Sequence, residues 1–149
     1  MSEPSCIFCR IIAGEADASL VYQDDQVIAF MDIQPITPGH LLIVPKRHAA
    51  HLAELDDETG GRMFAVARRL ARALRASRLR CEGINLFLAD GVAAGQTVFH
   101  SHLHVIARYP GDGFGFRFPP GYSRGSTREA LEQNAEEIRA ALESQEGNP

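Results

Sequence analysis

The chain has no run of 18 apolar residues, so no segment of it reads as a membrane-spanning helix. Its opening residues, Met1-Ser2-Glu3-Pro4, lack the basic and apolar regions of a secretory signal. Cysteine is scarce. The three present are an odd number, and two form the pair Cys6-x-x-Cys9, which argues against a disulfide scaffold. An excess of cations is also missing. The formal net charge of −4 argues against broad binding to nucleic acid or acidic membranes, yet admits small polyanions that need only a local site. A cytoplasmic protein with neither a nucleic-acid nor a membrane partner is expected, and 149 residues with 45% hydrophobic content suit one globular domain.

The distinctive stretch is Gly95-Gln96-Thr97-Val98-Phe99-His100-Ser101-His102-Leu103-His104-Val105-Ile106. It alternates from Val98 onward and reads as a strand of period two, with His100, His102 and His104 on one face and Phe99, Leu103 and Val105 entering the core behind them. A neutral imidazole is a nucleophile, an acid/base and a metal ligand near neutral pH, and spacing alone leaves these roles open. Same-face side chains stand nearly 7 Å apart at their bases, so three from one strand rarely converge on one ion. The Cys6/Cys9 pair supplies half of a tetrahedral metal site, whose other ligands come from elsewhere in the chain. Cys81, ahead of a predicted strand, reads as buried and inert.

The remaining elements follow from pattern. Ile7-Phe8 and Ile11-Ile12 suggest a helical turn ending at Gly14, and residues 20–23 and 26–31 a hairpin turning at Asp24-Asp25. A Pro/Gly-punctuated loop from Asp32 to His40 precedes an apolar strand, Leu41 to Val44. Residues 57–78 read as an amphipathic helix starting near Asp56 or Asp57 and weakened by Gly60-Gly61. Its outer face carries Arg62, Arg68, Arg69, Arg72 and Arg75, for which a solvated surface is the ordinary explanation and a nucleic-acid stripe the competing one. Residues 84–88 form a strand antiparallel to the histidine strand. The segment 110–121, with Phe114, Phe116 and Phe118, is loop-like. Ser126-x-x-Glu129 reads as a capping box opening a helix to about Ser144, and the tail after Glu146 is expected to fray. The expected fold is α+β: an antiparallel sheet of about five strands, one long packed helix and a C-terminal helix.

His100-Ser101-His102-Leu103-His104-Val105-Ile106 resembles the signature of the histidine-triad (HIT) family of nucleotide hydrolases and transferases. Gly95-Gln96-Thr97, Asp32-Ile33 with Thr37-Pro38-Gly39-His40, and Val44-Pro45-Lys46-Arg47-His48 resemble its other blocks, over roughly residues 6–109, with 110–149 an extension of a single domain. The Cys-x-x-Cys opening is most similar to the zinc-containing bacterial branch. The resemblance implies that His102 attacks the α-phosphorus of a purine nucleotide phosphoramidate or adenylated small molecule, forming a nucleotidyl-histidine that water resolves. His104 would donate to the phosphate, and Gln96 and Thr97 would contact the phosphate and bridging atom, Thr97 helping to protonate the leaving group. Asp32 would accept from the ribose, Ile33 would lie against the base and His40 near the nucleotide. A structural zinc would be held by Cys6, Cys9, His48 and His100, with His51 competing for the place of His48. Ala89 departs from an asparagine common in relatives, and Ser101 from an often apolar residue. A homodimer is the typical assembly. Diadenosine polyphosphate hydrolysis and non-catalytic nucleotide binding are the alternative functions.

Overall fold

The structure is a computed structural model and describes residues 3–146, so the tail beyond Glu146 lies outside the described residues. Two compact units are present, Met1–Phe114 and Gly115–Pro149. In the first, the elements run α1 (Ile7–Ile12), β1 (Leu20–Gln23), β2 (Val27–Met31), β3 (Leu41–Pro45), α2 (Asp57–Ala76), β4 (Gly83–Phe87) and β5 (Leu103–Arg108). The strands form one antiparallel sheet in the order β1-β2-β3-β5-β4, as expected for the α+β fold.

Both faces of the central strands are covered, which is why β2 and β3 read as continuous apolar runs rather than alternating ones. Val27, Ala29, Leu41, Ile43, Val105 and Ala107 point to one face and meet Met63, Val66, Ala67, Leu70 and Leu74 of α2. Ile28, Phe30, Leu42 and Val44 point to the other and meet Phe8 of α1. Each large side chain buried in this way contributes about 1.5–3 kcal/mol. Helix α2 starts where the sequence indicates, because the Asp56 side chain accepts from the Thr59 amide at 2.7 Å. Of its arginines, Arg62 and Arg69 reach the Tyr22 hydroxyl and Arg75 reaches the Glu82 carbonyl, so three of the five are engaged within the chain.

The β1–β2 turn is built by one carboxylate. Asp24 accepts from the amides of Gln26 and Val27, both at 2.9 Å, from the Tyr22 hydroxyl at 2.8 Å and from Arg62 Nε at 2.6 Å. Partial burial alone would raise its pKa. The hydrogen bonds, led by that from Val27, outweigh burial and hold the carboxyl well below the usual range. Asp24→Ala is expected to cost about 2–4 kcal/mol, because it leaves two turn amides and an arginine without their acceptor; the shift of the urea midpoint measures this.

Four expectations are corrected. The strand does not start at Val98: residues 98–102 lie outside the ladder and β5 begins at Leu103. His100 and His102 are instead held by side-chain and backbone bonds described below. Accordingly Phe99 does not enter the core but is 43% exposed, whereas Val105 is fully buried. The cap of the last helix, α3 (Arg128–Glu146), is Thr127 rather than Ser126, since Thr127 Oγ1 accepts from the Ala130 amide at 3.2 Å. Cys81 is only partly buried, its thiol donating to the Gly83 carbonyl. In the second unit, α3 follows a short turn in which Phe118 and Tyr122 stack at 4.2 Å, and Leu131, Ile138 and Leu142 are exposed.

Candidate functional site

Three segments distant in sequence converge at the start of β5. Cys6 sits at the N-terminus of α1, Cys9 lies within it, His48 follows β3 and His100 precedes β5. Their ligand atoms all lie within 4.8 Å of one another. The sulfur-to-nitrogen distances are 3.5 Å for Cys6 to His100, 3.7 Å for Cys9 to His100 and 3.4 Å for Cys9 to His48. A tetrahedral zinc with bonds of about 2.3 Å to sulfur and about 2.05 Å to nitrogen has such edges near 3.6 Å. The tautomer fits as well. His100 Nε2 is 2.8 Å from the Pro45 carbonyl, which can only accept, so Nδ1 turns an unprotonated lone pair to the sulfurs. Burial pushes His100 down to about 4, which keeps that lone pair free. The donor set therefore fits zinc. His51 is not part of it: residues 48–51 are not helical, and the half-exposed His51 pairs with Asp90 at 3.0 Å.

The other histidines are ordered by the same accounting. His102 Nδ1 lies 2.7 Å from the His100 carbonyl and must donate to it, leaving Nε2 as a lone pair. The Ile36 amide donates to His40 Nδ1 at 3.1 Å, so His40 carries its proton on Nε2 and gives it to His104 Nδ1 at 2.8 Å. His104 consequently carries its own proton on Nε2. Rings 102 and 104 are 4.9 Å apart, and the edge of Phe8 packs on His102 at 5.2 Å.

Asp32, His40 and His104 also bring ligand atoms within 4.8 Å of one another. A metal there is opposed by the amide of Ile36. Ligation through His40 Nε2 would require the proton on Nδ1, where that amide already donates. In the trio the single Nε2 proton of His40 goes to His104, and the Asp32 carboxylate stands beside that bond with Oδ2 3.5 Å from His40 Nε2.

These groups line a cavity of about 820 Å³. His102, His104 and Thr97 stand at one part of it with His40 and Asp32, while Ile7, Phe8, Ile11, Phe30 and Leu42 supply apolar wall. Ile33 is 95% exposed at this cavity, an apolar side chain available to a ligand. Gln96 does not line it. That side chain is buried and spent: Nε2 donates to the carbonyls of Ala50 and Val98, and Oε1 accepts from Gly91. It braces the loop that carries Thr97. Ala89 is buried and also away from the cavity lining.

The loop 32–40 is fixed from below. Thr37 donates to the Ala107 carbonyl at 2.5 Å, and Gly39, at φ +94°, sits so close to α2 that a Cβ would meet Leu74 Cδ2 at 2.9 Å. The apolar wall residues and Thr37 were not singled out from sequence as site residues. The repetition of Ile7-Phe8 with Ile11 on one side of a short helix was the available signal.

Burial pushes His104 down to about 4, with His102 and His40 adding to the shift. In the unfolded chain it titrates near 6.5, so between these values the unfolded state binds more protons and stability falls as pH falls. From pH 7.5 to 5 this group should cost about 2 kcal/mol. Urea midpoints of wild type and His104→Gln at the two pH values check it, the variant losing less.

The family model of the HIT domain matches residues 13–111. A HIT-like protein of Borreliella burgdorferi is 47% identical over 113 residues, 75% of this chain and 81% of that protein. Among solved structures, a Zn-bound histidine triad family protein from Mycobacterium smegmatis is 42% identical with a TM-score of 0.72, covering 95% of this chain and 97% of its own. A histidine triad nucleotide-binding protein from Candida albicans has 30% identity and a TM-score of 0.83 over 94% and 99% of the two chains. The chain belongs to the HIT domain family, whose members are in general nucleotide-binding hydrolases and transferases.

Proposed function

We propose that this chain is a nucleotidyl hydrolase or transferase acting at the α-phosphate of purine nucleotide phosphoramidates or adenylated small molecules. The observation that carries this reading is the free Nε2 lone pair of His102, fixed by the bond from Nδ1–H to the His100 carbonyl and facing the cavity. Such a nitrogen needs no base to activate it. It bonds to phosphorus as the bond to the leaving nitrogen breaks, and the electron pair passes to that nitrogen. The leaving nitrogen takes one proton from water by way of the Thr97 hydroxyl, and the hydroxide left behind takes up the proton shed when the second water adds to phosphorus. Water then adds to phosphorus, the bond to His102 breaks and a nucleoside 5′-monophosphate departs, so one water is consumed overall. The Nε2–H of His104 is available to the phosphate oxygens as charge grows on them. Asp32 is the acceptor for the ribose hydroxyls, and Ile33 with the apolar wall takes the base.

Zinc, held by Cys6, Cys9, His48 and His100, is a structural cofactor in this reading: four protein ligands leave no position for water, and the metal fixes the fold around His100. The edge position of β4, with Leu86 39% and Phe87 41% exposed, supports a homodimer that covers it.

Diadenosine polyphosphate hydrolysis uses the same attack but must seat further phosphates. Among the described residues no lysine or arginine lines the cavity, which favours the phosphoramidate. The test is AMP release from adenosine 5′-phosphoramidate and from diadenosine triphosphate, with acid-quenched samples examined by mass spectrometry for protein carrying one nucleotidyl group. A covalent adduct with faster release from the phosphoramidate is expected. Tight AMP binding with neither adduct nor turnover would instead favour a binding protein.

A further inference from the structure

We propose that a second cavity, adjoining the first, receives the leaving group and selects it by charge through Glu3, favouring cationic amines and disfavouring anionic groups. This rests on the nucleotidyl-transfer reading above. The cavity measures about 420 Å³ and shares Ile7, Thr97 and Val98 with the nucleotide cavity, so the two meet at the residue assigned to the bridging atom. A group bonded to phosphorus at Thr97 has this space directly beyond it.

The walls define what fits. Phe99, 43% exposed, and Val98 offer an apolar surface to a short carbon chain or ring. Glu3 supplies a carboxylate, and among the described residues neither lysine nor arginine lines the cavity. The Glu3 backbone is fixed on both sides, its amide donating to Cys9 Sγ at 3.3 Å and its carbonyl accepting from the Cys6 amide at 2.9 Å, and Ser5 donates to the carboxylate Oε1 at 2.8 Å. Among the described residues no hydrogen bond engages Oε2, which is left for a ligand. His48 lies on the same wall, but two thiolates neutralise a divalent zinc, so the metal centre would bring no net positive charge to offset Glu3.

A β-phosphate in this space meets a carboxylate with no cation to receive it. An amine with a second ammonium group finds an acceptor instead. At about 4 Å and high dielectric one such charge contact is worth roughly a factor of five, so exchanging attraction for repulsion should give about tenfold or more.

The test uses three adenosine 5′-phosphoramidates of nearly equal length, N-linked to pentylamine, 1,5-diaminopentane and 5-aminopentanoate, beside the unsubstituted phosphoramidate. For the zinc-loaded protein kcat/KM should run cationic, neutral, anionic in falling order, with about tenfold between the extremes. Glu3→Gln should compress that span to about twofold. Equal rates on all three with the unsubstituted compound turned over would overturn the charge-selecting site and leave the nucleotidyl reading standing. An unchanged span in Glu3→Gln would remove Glu3 as its cause. Absence of turnover on every compound would overturn both.

Discussion

His102→Ala is expected to lower turnover of adenosine 5′-phosphoramidate by at least about 10³-fold while AMP affinity stays within a few-fold of wild type. Removing a nucleophile leaves the remaining donors and the binding wall, which alone retain only a small part of an enzyme's acceleration. Affinity is preserved because Asp32 and the apolar wall, which also line the cavity, are untouched by the substitution. The covalent nucleotidyl adduct should vanish in the variant. Residual turnover within tenfold of wild type, with the adduct still present, would show that another residue is the nucleophile. The ring of His102 packs on Phe8, and the residue is 6% exposed, so its loss also opens a small void. His102→Asn, which refills part of that volume without a ring nitrogen, should be equally inactive and closer to wild type in stability.

Cys9→Ser is expected to abolish stoichiometric zinc binding and to lower the melting temperature by about 10–20 °C. A four-ligand structural zinc contributes many kcal/mol to the state that binds it, and a domain of this size loses a few degrees for each kcal/mol. The effect should reach beyond stability, because His100 joins both centres: its ring faces the thiols while its carbonyl sets the tautomer of His102. Helix α1, which carries Cys9, also provides Ile7, Phe8 and Ile11 to the nucleotide cavity. Nucleotide affinity should therefore weaken together with turnover. Metal analysis, thermal melting and AMP titration of the variant check each part. Unchanged melting and AMP affinity in a zinc-free variant would dissociate the metal from both fold and cavity.

Much of this arrangement was legible because it depends on residue identity at fixed spacing. The order of elements and the sheet follow the pattern of the sequence, and the meeting of Cys6 and Cys9 with His48 and His100 follows what the family resemblance implies rather than spacing. What the pattern could not disclose depends on long-range backbone acceptors. Alternation from Val98 suggested a strand, yet the Pro45 and His100 carbonyls, rather than ladder partners, hold the two histidines that precede Leu103. Gln96 has the right chemistry to meet a phosphate, but three backbone groups of the surrounding loops engage its amide. Ser126 and Thr127 are equivalent as capping residues on paper, and only the first helical turn distinguishes them.

The metal-ligating halves lie far apart in the order of synthesis: 91 residues separate Cys9 from His100. At about 5–20 residues per second, the two thiols emerge roughly 5–18 s before His100, the last of their two imidazole partners. Once residue 48 has emerged, Cys6, Cys9 and His48 would offer an incoming metal three ligands, and the fourth comes only when β5 joins the sheet beside β3. If the site holds zinc as proposed, its completion would be coupled to the last central strand to be made, which brings His100 beside β3.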